Sequence, residues 1–540
     1  METIGFETCP SKYRHLKIET GDGCARILLK VDENGGLRPG YKLKLNSYDL
    51  AVDIELADAV NRLRFEHPEV SVVTLTSATE GVFCAGANIF MLSSSDHSFK
   101  VNFCKFTNET RLAMEDASRW SGQRYIAALN GTCSGGGYEL ALACDEIILI
   151  DDRRSAVSLP ETPYLGVLPG TGGLTRLVDK RKVRRDLADI FATLAEGVRG
   201  ERAVDWRLVD ASIAPSRFAE AIEQRVKALV DRERLGLGGG VELDALVPAE
   251  TRDEIRYRHL RLNLDHNRRL AELIIEGPTG RPDTRPRPID EGANWYPLRL
   301  FREIDDALLR LRFNYPEIGL VLIKSRGDLS RVLEIDRQMR EQRGDWFVRE
   351  TLLLIKRVLK RLDLTAKSLF AIVEEDSCFA GFLFELALAA DRAYMKSAGG
   401  TRIATSPLNR GSFPMGNGLS RLETRFLNEP ERARRLASEE TYGTNEADAA
   451  GLITSAPDEL DWEEELRLAI DERLSLSPDA LTGMEANLRF AGPETMETKI
   501  FARLSAWQNW VFQRPNAVGE RGALKLYGRP ESPQFDWHRT

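Results

Sequence analysis

The chain has 540 residues, of which 42% are hydrophobic and 29% charged, with a formal net charge of −8 and a pI near 5.6. This is an ordinary globular composition, and the length points to two or three domains rather than a single core. An acidic balance argues against nucleic acid or an anionic membrane as the main partner, and no run of 18 uncharged apolar residues predicts a spanning helix.

From the N-terminus, Met1-Glu2-Thr3-Ile4-Gly5-Phe6-Glu7 has neither a basic start nor an apolar core, so no signal peptide is expected. Ala25–Val31 and Val70–Leu75 are predicted as buried strands rich in Val, Ile and Leu. Between them Val52–Phe65 has helical spacing, with Ile54, Ala57, Leu63 and Phe65 apolar among charges. Tyr125–Leu129 and Ile147–Ile150 are predicted strands, and Gly137–Ala143 opens a helix between them. Strands alternating with helices imply an α/β class with a largely parallel sheet. Residues 431–513 read mostly as charged amphipathic helix. Basic clusters such as Lys180-Arg181-Lys182 are read as solvated helix faces.

The chain also repeats itself. Tyr13-Arg14-His15-Leu16-Lys17-Ile18 returns as Tyr257-Arg258-His259-Leu260-Arg261-Leu262, and Leu63-Arg64-Phe65 as Leu311-Arg312-Phe313. Glu139-Leu140-Ala141-Leu142-Ala143 returns as Glu385-Leu386-Ala387-Leu388-Ala389, and Gly173-Leu174 as Gly418-Leu419. The offset stays between 244 (257 less 13) and 248 (311 less 63) residues. Four colinear matches at one offset predict a tandem duplication. The Gly-rich stretch Gly236-Leu237-Gly238-Gly239-Gly240 is the expected seam, and the Pro/Arg-rich segment Pro278 to Pro288 is read as a loop inside the second copy. The expected domains are residues 1–235, 236–430 and a helical region at 431–540.

Three segments of the first copy carry chemistry. Phe83-Cys84-Ala85-Gly86-Ala87-Asn88-Ile89 and Ser134-Gly135-Gly136-Gly137-Tyr138-Glu139 are glycine-rich loops, and Leu159-Pro160-Glu161-Thr162-Pro163 precedes a third, Leu168-Pro169-Gly170-Thr171-Gly172-Gly173. Ala87 and Gly136 are candidate backbone N–H donors for a carbonyl oxygen that gains negative charge, since glycine lets the backbone approach closely. A helix opening at the triple glycine would add the positive end of its dipole. Glu139 in that first turn suits a base or water-positioning role, and Glu161 on a stiff Pro-flanked loop suits an acid with a raised pKa. Which glutamate does which step stays open.

Taken singly, a glycine triplet is as often tight packing, and Gly170-Thr171-Gly172-Gly173 lacks the Lys-Ser/Thr of a phosphate loop. Cys84 and Cys104 read as core thiols without a nearby His partner. The seven cysteines form no CxxC pair, which fits a reducing cytoplasm, and six scattered histidines show no ligand spacing, so no metal is expected.

Taken together, these segments resemble the crotonase (enoyl-CoA hydratase/isomerase) superfamily over residues 12–230. The resemblance implies an acyl-CoA substrate and a spiral of ββα repeats. It assigns the thioester oxyanion hole to Ala87 and Gly136 and the acid–base pair to Glu139 and Glu161. Ala85, Ile89, Lys42, Lys44, Gly135 and Tyr138 are the implied substrate-binding residues, although Lys42 and Lys44 read equally as solvated lysines. Asn88 departs from the Asp usual in the family, which leaves the capping of that turn open. The second copy reads Arg331-Val332-Leu333-Glu334-Ile335 and Gly381-Phe382-Leu383 at the two loops, so it is expected to be degenerate and structural.

A crotonase core followed by a degenerate one resembles, over nearly the full length, ring-opening lyases of aerobic CoA-dependent benzoate degradation. That implies opening of the non-aromatic ring of 2,3-epoxy-2,3-dihydrobenzoyl-CoA with two waters, giving 3,4-didehydroadipyl-CoA semialdehyde and formate. No cofactor is implied, because coenzyme A is part of the substrate, and a homo-oligomer, a dimer first, is expected. Two alternatives stand beside this reading: an enoyl-CoA hydratase or isomerase of fatty acid oxidation, and a non-catalytic acyl-CoA-binding scaffold. A dehydrogenase is disfavoured, since no GxGxxG follows a strand with an acid further on.

Overall fold

The computed structural model describes residues 3–279 and 287–540. Of the expected loop between Pro278 and Pro288, residues 280–286 lie outside the described residues. The chain forms two compact units, one spanning Phe6–Ala245 and the other Leu246–Thr540 together with the residues before Phe6. Within the latter, the Ile4 N–H donates to the Asn314 side chain (2.9 Å), whose amide donates back to the Ile4 carbonyl (3.0 Å).

The first unit is built on a six-stranded sheet in the order β1 (Leu16–Gly21), β2 (Cys24–Leu29), β3 (Val72–Ser77), β5 (Arg124–Leu129), β7 (Glu146–Ile150) and β9 (Ala211–Ile213). The β1–β2 pair is an antiparallel hairpin whose turn residues, Asp22 (φ 51) and Gly23 (φ 72), both adopt left-handed backbone, as the twist of a tight hairpin demands. All other pairings in this sheet are parallel.

A second, three-stranded sheet contains β4 (Gly81–Cys84), β6 (Gly131–Ser134) and β8 (Val157–Ser158). Each of its strands follows one of the long strands within a few residues, so the chain bends from the large sheet into the small one and then into a helix. Asn130 secures one such bend by donating to the Ser77 carbonyl (2.8 Å) and accepting from the Ser77 N–H (3.3 Å). A side chain at Gly131 would lie 2.1 Å from the Val82 nitrogen, so only glycine lets β6 come alongside β4.

Between β2 and β3 lies α1 (Leu50–Phe65), capped by Asp49; α2 (Ile89–Ser94) and α3 (His97–Asp116) follow β4, α4 (Gly136–Ala143) follows β6 and α5 (Glu161–Leu165) follows β8. The Gly-rich seam is not a free linker. Gly240 lies against the Glu66 carbonyl, Val241 donates to the Phe65 carbonyl (2.7 Å) and Leu243 to the Glu66 carboxylate (2.9 Å). Val241 and Leu243 are buried, which ties this stretch to the end of α1 and carries the first unit through Ala245 rather than to 235.

The second unit has a seven-stranded sheet, β10 to β16, in sequence order. Antiparallel β10 (Ala249–Glu250), β11 (Glu254–Arg256), β12 (Leu260–Asp265) and β13 (Leu270–Glu276) lead into parallel β14 (Leu320–Arg326), β15 (Ser368–Val373) and β16 (Arg392–Met395). Residues 431–540 cluster with this unit rather than standing apart. Trp462 and Ile470 pack on Leu320, Leu322 and Phe370 of its sheet, and the buried Arg539 guanidinium donates to Glu485 (2.6 Å). This region is mostly helical, with one exception: Glu440–Gly443 is a strand paired antiparallel with Arg402–Thr405. Its partner lies well outside any local window, so periodicity cannot reveal it.

Candidate active site

The two glycine loops of the first unit meet. After β4, Gly86 has φ +91, and a Cβ there would lie 2.8 Å from the Gly136 nitrogen and 2.9 Å from the Ser134 carbonyl oxygen. Glycine is therefore required both for the turn and for the approach. Tyr48 pairs with this loop on both sides of Ala87, donating to the Gly86 carbonyl (3.0 Å) and accepting from the Asn88 N–H (2.8 Å). In a parallel bridge of this register the intervening residue turns its own N–H to the opposite side, so the Ala87 donor faces away from Tyr48. Gly135, with φ +54, caps α4 without a side chain, and Gly136 is the first residue of that helix. Ala87 and Gly136 are thus neighbouring backbone donors, one of them at a helix N-terminus.

Asn88 does what an Asp could not do fully. Its Oδ1 accepts from the Met91 N–H (2.9 Å) to cap α2, while its amide donates to the Lys42 carbonyl (2.8 Å) and the Ser47 hydroxyl (3.2 Å). The turn is capped, and the additional donor ties it to the 42–47 segment.

The two glutamates sit in contrasting surroundings. Glu139 is buried in α4, and its carboxylate accepts from the Thr171 N–H (2.9 Å), the Gly173 N–H (2.8 Å) and the Thr171 hydroxyl. A Cβ at Gly173 would be 2.9 Å from Glu139 Oε1, so the third glycine loop exists to wrap this carboxylate. Glu161 opens α5 and lies over Gly135, where a Cβ would be 2.8 Å from its Oε1. Its Oε2 is buried with no hydrogen-bond partner among the described residues. Burial, reinforced by the nearby Glu139 charge and opposed by a backbone hydrogen bond, pushes the Glu161 carboxyl up to about 7. One carboxylate is held by three donors, and the other can carry a proton at neutral pH.

Arg111 and Asp53, which the sequence reading did not single out, complete the floor. Arg111 of α3 is buried and donates from one nitrogen to both the Tyr48 hydroxyl (3.0 Å) and the Gly136 carbonyl (2.8 Å). Asp53 of α1, bonded to the Thr107 hydroxyl, is pushed up to about 6 by burial against the opposing pull of Arg111. Cys104 lies 3.8 Å from where a Cβ of Gly170 would stand, and burial with the Glu139 charge pushes its thiol up to about 11. It is a neutral thiol beside the site rather than a thiolate. No local motif marks Arg111, which sits mid-helix and meets Tyr48 only in the fold.

Of the expected substrate-binding residues, Lys42, Lys44, Ala85 and Ile89 are all exposed, and the Ala85 N–H donates to the Leu45 carbonyl (3.1 Å), which brings the two segments together. Leu45 (φ 56) and Asn46 (φ 50) give this stretch a left-handed turn. Tyr138 requires correction: it is fully buried, its hydroxyl donates to the Leu208 carbonyl (2.7 Å), and its ring meets Phe191 edge-on. It points to the core from the face of α4 that Glu139 does not use.

The enoyl-CoA hydratase/isomerase family profile matches residues 42–263. The chain is 53% identical to a benzoyl-CoA-dihydrodiol lyase of Aromatoleum evansii over 545 aligned positions, 100% of this chain and 98% of that one. It is 32% identical over 207 positions to the fatty acid oxidation complex subunit alpha of Idiomarina loihiensis, covering 38% of this chain and 27% of that one. A crystal structure of an enoyl-CoA hydratase from Bacillus anthracis aligns with 40% of the chain and 76% of its own length, at 27% identity and a TM-score of 0.34.

Proposed function

The chain belongs to the enoyl-CoA hydratase/isomerase family, and we propose that it is a lyase that opens the non-aromatic ring of 2,3-epoxy-2,3-dihydrobenzoyl-CoA. Two waters are consumed, and 3,4-didehydroadipyl-CoA semialdehyde and formate are released. The identity to a benzoyl-CoA-dihydrodiol lyase over the whole chain supports this substrate class. The observation that carries the chemistry is the pair of unlike carboxyls, Glu139 and Glu161, beside the two N–H donors of Ala87 and Gly136.

In this reading the Ala87 and Gly136 N–H groups hold the thioester oxygen. Glu139, fixed by Thr171 and Gly173, orients and deprotonates the attacking water, and Glu161 protonates the alkoxide as the epoxide opens. Releasing one ring carbon as formate breaks two C–C bonds: the bond between the former epoxide carbons gives way as the ring opens, leaving two aldehydes. The second water then adds to the aldehyde carbon nearer the thioester, and scission of its remaining bond leaves the electron pair on the carbon next to the thioester, whose enolate oxygen is stabilised by the two donors, each worth roughly 10²–10³ in rate. No cofactor is needed, because coenzyme A belongs to the substrate. Lys42 and Lys44 contact its phosphates, with Ala85 and Ile89 at its adenine.

The second unit we read as a degenerate copy. Its strand order, an antiparallel hairpin (β12–β13) followed by parallel strands, follows that of β1 onward. A hydrogen-bonded cluster also recurs. Tyr13 donates to Asp58 (2.5 Å) beside the Arg62–Asp58 pair (2.7 Å), and Tyr257 to Asp306 (2.6 Å) beside Arg310–Asp306 (2.7 Å). The N–H of His15 and that of His259 each donate to a helix glutamate, Glu55 and Glu303.

Residues 331–335, which correspond in the repeat to the first glycine loop, lie within the helix Leu329–Glu341. The Phe382 N–H, at the Gly136 position, is occupied by Asp336 (3.0 Å), and Glu385 is held by Asn409 (2.8 Å) and Arg421 (3.1 Å). At these two positions, among the described residues, no open donor is left for a thioester oxygen. A homo-oligomer, a dimer first, is also proposed; exposed Phe501, Leu504 and Phe512 support it. No helix among the described residues is long and apolar enough to cross a membrane, and the cytoplasm is the proposed location.

The test is incubation with 2,3-epoxybenzoyl-CoA and, in parallel, crotonyl-CoA. Formate and a semialdehyde CoA ester from the first, with no hydration of the second, is the expected outcome. Hydration of crotonyl-CoA without formate release would establish the hydratase reading instead, and turnover of neither would favour a binding scaffold.

A further inference from the structure

We propose that Tyr48 and Arg111 are positioning residues that set the separation and aim of the two oxyanion donors; the role rests on the acyl-CoA reading above. The Tyr48 backbone holds the first donor loop, bonding to Gly86 and Asn88 on either side of Ala87 (3.0 and 2.8 Å). Its side chain reaches the second. A Cβ on Gly136 would lie 2.1 Å from the Tyr48 hydroxyl oxygen, so the phenol lies flush against the Gly136 backbone. One Arg111 nitrogen then bonds both the hydroxyl (3.0 Å) and the Gly136 carbonyl (2.8 Å). A single tyrosine therefore touches both halves of the hole, and the arginine locks its hydroxyl to the second half.

This arrangement is not what stability alone would select. Tyr48 and Arg111 are both buried, and the Arg111 Nε and Nη1 are buried without a hydrogen-bond partner among the described residues. No carboxylate among the described residues forms a hydrogen-bonded pair with this guanidinium; Asp53 and Glu139 act on it through space only. A buried, incompletely paired cation costs the fold, and replacing it by an apolar side chain is often neutral or stabilising. Placed beneath a site where an enolate oxygen gains negative charge, the same cation lowers the energy of that charge without any rearrangement. The Tyr48 ring is itself fixed by Phe103, at 6.0 Å between centroids.

The experiment uses the full chain with benzoyl-CoA labelled with ¹³C at the thioester carbonyl, together with turnover of 2,3-epoxybenzoyl-CoA. Wild-type protein is expected to displace the carbonyl resonance from its free position. Tyr48→Phe, which removes one oxygen and leaves the ring, is expected to return the resonance most of the way. It should lower kcat about 10- to 100-fold, with KM within about threefold and an unchanged melting profile. Arg111→Met is expected to do the same more strongly, and Arg111→Lys to fall between, since it keeps a cation with donors for both acceptors but on a shorter, flexible stem that holds them less rigidly than the planar guanidinium.

Wild-type kcat and an unaltered resonance in Tyr48→Phe would overturn the proposal. So would a loss of kcat in that variant matched by an equal rise in KM and a fall in melting temperature. If wild-type protein displaces the resonance but releases no formate, the ring-opening reading fails and the positioning role stands. If it leaves the resonance unmoved, both fall.

Discussion

Glu161→Gln tests the site through stability as well as rate. Burial and the Glu139 charge raise the Glu161 carboxyl from the ordinary 4.5 to about 7 in the folded chain. A raised folded-state value means that between pH 4.5 and 7 the native state binds more protons than the unfolded one, so its stability falls as pH climbs through that window and levels off above it. Each tenfold change in proton affinity is worth about 1.4 kcal/mol, so the rise from 4.5 to about 7 sets a ceiling of about 3.5 kcal/mol. Partial contact with water brings this to about 1–2 kcal/mol. Glutamine has the same shape and no charge to desolvate.

Urea unfolding of the first unit's transition, measured for both proteins at pH 5 and pH 8.5, should therefore show Glu161→Gln little changed at the lower pH and more stable by about 1–2 kcal/mol at the higher. Turnover should move the other way, down ~10²–10⁴-fold, as general acid catalysis is lost. Wild-type kcat should decline as pH rises through about 7. A stability difference between variant and wild type that is the same at both pH values would refute the assigned environment, and retained turnover would refute the assigned role.

Glu139→Gln should also lower kcat by ~10²–10⁴-fold while CoA-ester binding, followed calorimetrically, stays near normal; unchanged turnover would remove it from the chemistry. Gly136→Ala places a Cβ 2.1 Å from the Tyr48 hydroxyl oxygen, and the shift it forces should cost about 1–3 kcal/mol in chemical denaturation and at least tenfold in kcat. Glu385→Gln weakens the bond to the buried Arg421, so it should lower stability by about 1–3 kcal/mol and leave turnover intact. The same titrations should find one CoA ester per chain, and two sites would show the second unit to be active. Reversing Lys42 and Lys44 to Glu together should raise KM for the CoA ester severalfold with little change in kcat, read from initial rates at low ionic strength.

Much of the site is legible in the residues themselves because its signals are local. Glycines at 86 and 135 mark positions where the backbone takes positive φ, and both occur where a motif placed them. The strands β3, β5 and β7 are buried along almost their whole length, and the apolar runs that predict them record this directly. Local signals could not, however, decide what each glutamate meets. The donors to Glu139 come from Thr171 and Gly173, more than 30 residues on, and the unpartnered oxygen of Glu161 is a property of how α5 closes over Gly135.

Tyr138 shows the same limit from the other side. It neighbours Glu139 in the chain, but a helix turns each successive residue by about 100°, and only packing decided that its ring would face Phe191. Arg111 carries no motif at all, and its contact with Tyr48 spans 63 residues. Asn88 departs from the Asp usual in the family, and only the fold supplies its amide with the Lys42 carbonyl as acceptor. Residue types and their spacing therefore determined which groups are available for acyl-CoA chemistry. Tertiary structure decided which of them are desolvated, which are held and which face the core, because dielectric and hydrogen bonding depend on neighbours that are distant along the chain.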